Sequence, residues 1–179
     1  MIHHDLLHYE QTHGHPIRVG VSGAGWLGSG FVTAVSHVAG MTVTVLADAD
    51  TPAAWQAFTA IGVPQDQIVE TTAPGAAIDA LRAGRRVVTG DYALAAQLED
   101  VDIVVDATPS PAIGAETAYA AIRHHKDVVM VNIEADVTVG RILSRLAREA
   151  GVLYTVSSGD EPGCLMELYD FVTTLGYEV

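Results

Sequence analysis

The sequence predicts an α/β fold, a doubly wound and mainly parallel sheet with helices on both faces. Three observations predict it. Short β-branched apolar runs alternate with segments whose apolar residues recur every three or four positions. The runs at 103–105 and 128–131 are apolar at consecutive positions, as strands covered on two faces must be. The composition is globular, with 49% hydrophobic and 17% charged residues among 179. A chain of this length buries about 70% of its unfolded surface in one core.

The elements follow in order. Residues 1–15 are polar, hold five of the eight histidines, and read as an extension with one or two helical turns around Leu6, Leu7 and Glu10. Residues 17–22 are a strand feeding a glycine turn. Residues 26–38 are a helix with Leu27, Phe31, Val35 and Val38 at helical spacing. A β-branched strand spans 41–47. A helix spans 52–61, with Asp50 or Thr51 as cap and Pro52 in its first turn. Residues 62–101 are less regular, with helices at 75–83 and 92–98 around a strand at 86–89. Strands at 102–107, 127–132 and 152–156 are separated by helices at 111–124 and 138–150. A last helix covers 165–175, and residues 176–179 resemble the start of another strand.

Charge and cysteine content narrow the function. The net charge is −13, of which −3 falls on residues 1–90 and −10 on 91–179. Nucleic-acid binding needs a basic face to neutralise phosphates. Only Arg82, Arg85 and Arg86 cluster here, so nucleic acid and an anionic membrane surface are not expected partners. The opening histidines have no Cys or carboxylate pair to complete a site, so no metal is expected. One cysteine, Cys164, suits a reducing cytoplasm. It has no evident base beside it and is expected to pack in the interior.

The sharpest motif is Gly23-Ala24-Gly25-Trp26-Leu27-Gly28. A G-x-G-x-x-G run carries meaning only between a strand and a helix, and that is its setting here. Gly23 permits the tight turn, Gly25 the approach of a pyrophosphate, and Gly28 close packing of helix on strand. The amides of Trp26 and Leu27 sit where the positive end of the helix dipole faces the phosphates. The domain is therefore expected to be of the Rossmann type, over residues 16–160. Asp48 lies 20 residues beyond Gly28, at the end of the second strand, where an acid accepts bonds from the adenosine ribose. No Arg or Lys lies between 44 and 60. NAD is therefore expected in preference to NADP, with NADP the alternative. Asp50 competes with Asp48 for the ribose, or caps the next helix.

Residues 16–20, 23–28, 102–111, 131–140 and 159–163 together resemble the N-terminal part of homoserine dehydrogenase-like NAD(P)-dependent oxidoreductases. The branch is the one associated with SAF domains, which includes the 1-deoxyxylulose 5-phosphate reductoisomerase-like enzyme. The resemblance implies a nicotinamide cofactor across the carboxyl ends of the strands, with Ala107, Thr108 and Pro109 against the nicotinamide ribose. Ser110 is also placed to cap the helix after it. Asn132, the only asparagine, either bonds the cofactor carboxamide or a substrate oxygen, or fixes its own loop. Glu134 is a candidate acid, base or metal ligand, and Asp136 follows it on the same edge. Asp160 and Glu161 are implied to approach the substrate domain, and complete the candidate catalytic set with Glu134. Relatives rely on a substrate-domain lysine; the single lysine, Lys126, precedes a strand and belongs at the wrong end of the sheet.

The expected function is the NAD(P)-binding domain of an oxidoreductase that transfers hydride to or from a small oxygenated substrate. The alternative is a non-enzymatic NAD(H)-binding regulatory or redox-sensing module. Residues 161–179 are expected to begin a truncated substrate or dimerisation region, so that the substrate partner depends on a missing domain. Leu165, Leu168, Phe171, Val172 and Leu175 cover more than one face of the last helix, which predicts a homodimer.

Overall fold

The computed structural model describes residues 2–159 and 163–179; Asp160 and Glu161 lie outside them. The described residues form seven strands and eight helices in the order α1 (Ile2–His13), β1 (Ile17–Ser22), α2 (Trp26–Ser36), β2 (Met41–Ala47), α3 (Thr51–Ala60), β3 (Ile68–Glu70), α4 (Pro74–Arg82), β4 (Arg86–Thr89), α5 (Leu94–Gln97), β5 (Ile103–Asp106), α6 (Pro111–Arg123), β6 (Asp127–Met130), α7 (Ile133–Ala150), β7 (Tyr154–Val156) and α8 (Gly163–Thr174). The sheet order is β3-β4-β2-β1-β5-β6-β7, and every neighbouring pair is parallel. This is the Rossmann-type, doubly wound architecture that the alternation of strands and helices predicts.

The two faces are visible in the strands. Val45, Val87 and Val104 belong to one buried cluster, with Ala80 of α4, Ala118 and Ile122 of α6 and Leu143 of α7. Their neighbours Leu46, Val88 and Val105 belong to the other, with Val32 of α2 and Phe58 of α3. Successive side chains point to opposite faces of a strand, so a run apolar at every position fills both cores.

At the amino end of the sheet the two halves are tied by Arg18. Its guanidinium donates to Asp102 and Asp100, each at 2.8 Å, and its backbone N–H donates to Asp102 at 2.8 Å. Lys126 also lies at this end, one residue before β6.

Several expectations change. β3 was not expected; three residues are too few to show a period. α7 begins at Ile133 rather than 138, because Asn132 caps it through Ala135 N–H at 3.0 Å and Glu134 and Asp136 occupy its first turn, where acids favour the helix dipole. α1 has twelve residues rather than one or two turns. Its Leu6 backbone packs where a side chain on Gly40 would stand. Residues 175–179 form no strand. Cys164 is exposed rather than buried, because it lies on the stretch of α8 that is exposed at every position from 164 to 171.

Candidate dinucleotide site at the switch point

The strand order reverses between β1 and β5, so the helices after these strands leave on opposite faces and open a crevice at their carboxyl ends. The tips are cross-linked through the backbone. Gly23 N–H donates to Ala47, Asp48 N–H to Thr89, and Ala107 N–H to Ser22, at 2.7 to 2.9 Å. The edge is therefore rigid.

The three glycines of the turn do different work. Gly23 has φ +100°, and a Cβ there would stand 2.6 Å from the Ala107 carbonyl oxygen. At Gly28 a Cβ would run into the Gly23 carbonyl oxygen, so only glycine lets α2 start against the turn. Beside Gly25 nothing lies within 4 Å of a Cβ, which leaves a cradle over the helix start. The cradle is polar in character. α2, like α4, has no side-chain cap and no acid in its first turn, whereas α3, α6 and α7 are capped by Asp50, Ser110 and Asn132. Its first-turn N–H groups are donors awaiting an acceptor. The residues present fit the pyrophosphate of a dinucleotide.

A cleft of about 340 Å³ opens beside this turn, lined by Gly25, Trp26, Leu27, Ala107, Thr108, Pro109, Val131, Asn132 and Glu134. It gathers eight of the residues singled out in the sequence. Trp26 stands on its rim with 88% of its surface exposed. A second cleft of about 540 Å³ continues from Leu27, Val131 and Glu134 onto Ile133, Val137 and Thr138 of α7. Among the described residues, Glu134 is the only ionisable one lining either cleft, and no lysine or histidine lines them.

Asp48 lies at the tip of β2 beside the glycine turn. Its Oδ2 accepts from Ala24 N–H at 2.6 Å and its Oδ1 from Asp50 N–H at 2.8 Å. Each carboxylate oxygen has a second lone pair to offer. Asp50 accepts from Ala53 N–H as the cap of α3. Tyr92 closes the same corner, its hydroxyl accepting from Ala49 N–H at 3.0 Å.

Asn132 is buried and its amide is fully engaged. It donates to the Ser110 carbonyl at 2.9 Å and the Thr108 hydroxyl at 3.3 Å, and accepts from Ala135. Of the two readings of Asn132, the fixing of its own loop is what the geometry displays. Asp136 faces away from the cleft and accepts from the Tyr154 hydroxyl at 2.8 Å. Ser110 caps α6 through Ile113 N–H.

Sequence reasoning missed Asp106. It closes β5, is fully buried, and accepts from the Thr108 hydroxyl at 2.9 Å. Burial raises its carboxyl above the usual carboxylate range, against the smaller opposing pull of Thr108 and Asn132. The only available signal was an acid ending an apolar run.

Among the described residues no group of three His, Cys, Asp or Glu side chains is gathered to hold a metal, and no helix is long and apolar enough to cross a membrane.

The sequence profile of the homoserine dehydrogenase NAD-binding domain family matches residues 23–157. No curated protein sequence matches the chain. Solved structures share its fold. Scyllo-inositol dehydrogenase from Lactobacillus casei, solved with NAD(H) and scyllo-inositol, superposes with a TM-score of 0.60 at 16% identity, over 90% of this chain and 42% of that one. The WlbA dehydrogenase from Bordetella pertussis, solved with NADH and UDP-GlcNAcA, gives 0.60 at 18%, over 90% and 44%. Biliverdin reductase from Synechocystis, solved with biliverdin and NADP+, gives 0.59 at 19%, over 79% and 38%. The chain spans less than half the length of each of these proteins.

Proposed function

The chain belongs to the family of homoserine dehydrogenase NAD-binding domains, and from that premise we propose that it is the cofactor half of an oxidoreductase. The reaction is hydride transfer between a nicotinamide and a small oxygenated substrate held by another domain. The observation that carries this reading is the cleft at the switch point, which joins an uncapped helix start to the tips of β5 and β6. When bound, the nicotinamide supplies the hydride chemistry, and the chain supplies position and electrostatics.

In this reading Gly23, Gly25 and Gly28 shape the cradle, and the amides of Trp26 and Leu27 bind the pyrophosphate. Asp48 takes the adenosine ribose, and Ala107, Thr108 and Pro109 flank the nicotinamide ribose. Asn132 holds the wall of that pocket rather than spending its amide on the ligand. Glu134 faces the substrate side, and Asp160 and Glu161 complete the candidate catalytic set with it. NAD is preferred to NADP, because among the described residues no cation pairs with Asp48. The cytoplasm is the compartment that the single exposed thiol suits.

Residues 16–160 act as the dinucleotide domain, residues 1–15 as its extension, and 161–179 as the start of the substrate or dimerisation region. Leu168 and Phe171 of α8 are 57% and 63% exposed, and such apolar surface supports a homodimer. Among the described residues no Lys or His lines the clefts, which favours a second reading, a binding module that senses NAD(H) without chemistry of its own.

Titration with NADH, followed by NADH oxidation against a panel of small aldehydes and ketones, tests the proposal. Saturable binding without rapid turnover is the expected outcome. Fast turnover by residues 1–179 alone would contradict the need for another domain, and absence of binding would overturn the cofactor assignment.

A further inference from the structure

Asp106 is a buried acid for which the binding reading has no use. One oxygen accepts from the Thr108 hydroxyl at 2.9 Å and from its N–H at 3.4 Å. The other, Oδ2, makes no hydrogen bond of good geometry; the Asn132 amide lies near enough to pull weakly on it but donates to Ser110 and Thr108. Oδ2 faces α6 at Gly114, where a Cβ would lie 2.5 Å from both Oδ2 and the Asn132 amide nitrogen. Gly114 thus lets α6 run directly over the two polar groups and seals them from water. No cation pairs with Asp106 among the described residues.

The arginines on the elements packed around it do not reach it: Arg18 of β1 is held by Asp100 and Asp102, and Arg123 of α6 and Arg141, Arg145 and Arg148 of α7 are exposed. The remaining groups are acids and a phenol. Tyr154 of β7 and Asp136 of α7 are bonded to each other. Glu134 lies in the first turn of α7, and Glu116 lies on the exposed side of α6. None of them offsets a charge on Asp106. An unpaired buried carboxylate is far more costly than a neutral carboxyl with one idle oxygen.

The group is also coupled to the cleft. Thr108 lines the cleft, donates to Asp106 and accepts from Asn132. The Asp106 carbonyl oxygen accepts from Val131 and Asn132 N–H at 2.8 and 3.2 Å. The carboxyl therefore sits one residue beneath the wall formed by Ala107, Thr108 and Asn132.

We propose that Asp106 is a positioning residue that sets the charge beneath this wall and so biases the site between oxidised and reduced cofactor. The inference rests on the dinucleotide reading above. An oxidised nicotinamide ring carries one positive charge and a reduced ring carries none, so only the oxidised form gains from a negative charge under the wall. A neutral Asp106 favours neither form; an ionised Asp106 favours NAD+. Burial, which raises this carboxyl, keeps the neutral state into a higher pH range than an exposed acid allows.

The test measures Kd for NAD+ and for NADH by calorimetry from pH 5 to pH 9, in the unmodified chain and in Asp106→Asn. In the unmodified chain, preference for NAD+ over NADH is expected to grow with pH by about fivefold, or about 1 kcal/mol. Asp106→Asn cannot ionise and is expected to hold the low-pH ratio throughout. Equal pH dependence in the two proteins, or a flat ratio in the unmodified chain, overturns the inference. If the variant does not fold, the unmodified chain alone decides. Failure of both nucleotides to bind at any pH is a different outcome, and overturns the dinucleotide reading together with the bias built on it.

Discussion

Cofactor choice can be worked from the position of Asp48. Its carboxylate is pinned by two backbone N–H groups, at 2.6 and 2.8 Å, and cannot swing aside. The 2′-phosphate of NADP carries close to two negative charges. At about 4 Å from a carboxylate each charge pair costs about 1 kcal/mol in water and about 4 kcal/mol at an effective dielectric of about 20. Compensation would need a cation, and the three clustered arginines do not provide one. Arg86 begins β4, three residues from Thr89, which pairs with Ala47 at the tip of β2; at about 3.3 Å per residue that is about 10 Å. Its guanidinium donates to Thr42, near the opposite end of β2, and Arg82 reaches Glu99 and Asp100. NAD, whose ribose hydroxyls the carboxylate can accept, is therefore expected to bind at least about tenfold more tightly than NADP, or about 1.4 kcal/mol. Fluorescence titration with NADH and NADPH measures this. The ratio should shrink in high salt, because screening weakens the repulsion, and Asp48→Asn should bring it close to one. Equal or tighter binding of NADPH by the unmodified chain would refute the role given to Asp48.

Three further outcomes are expected. Gly25→Val should abolish NADH binding without lowering the melting temperature, since a side chain there meets only open space; Gly28→Ala should instead unfold or strongly destabilise the chain, and unchanged thermal melts for it would show that the turn relaxes. Trp26, exposed on the cleft rim, should transfer excitation to bound NADH; the signal should vanish in Trp26→Phe, and its persistence there would assign it to Trp55. Asp102 is half-buried, which opposes ionisation, but the hydrogen bonds and charge of Arg18 prevail and hold its carboxyl below the usual range. Its contribution is present above the unfolded carboxylate pKa and is lost as pH falls through the lowered folded value. Asp102→Asn should therefore cost about 2 kcal/mol near neutral pH, with the gap closing in acid; chemical denaturation at several pH values checks this, and a gap independent of pH would refute it.

Much of this molecule was legible in its sequence because the deciding interactions are local or periodic. Apolar residues at both parities in 103–105 mark a strand covered on two faces, and no partner need be known to see it. The G-x-G-x-x-G run announces its turn because Gly23 needs a positive φ and Gly28 meets the Gly23 carbonyl five residues back, although the Ala107 carbonyl that also constrains Gly23 is distant in sequence. The start of α7 was misplaced at 138: an asparagine followed by Glu134 and Asp136 suits a helix cap, but acids after a strand suit a loop as well. Local preference could not separate the two.

What the tertiary structure alone decided involves residues distant in sequence. Asp106 draws its meaning from Asn132, 26 positions on, and from Gly114 on the helix packed above it; in the sequence it is only the polar end of a strand. The location of the arginines is the clearest case. Arg82, Arg85 and Arg86 follow Asp48 by fewer than 40 residues, and β4 does lie beside β2. The pairing is parallel, so the carboxyl tip of β2 meets the carboxyl tip of β4, and the arginines that precede β4 fall at the opposite end of the sheet. Strand direction is a property of the crossover connection and not of the residues in either strand, and it keeps these arginines away from Asp48.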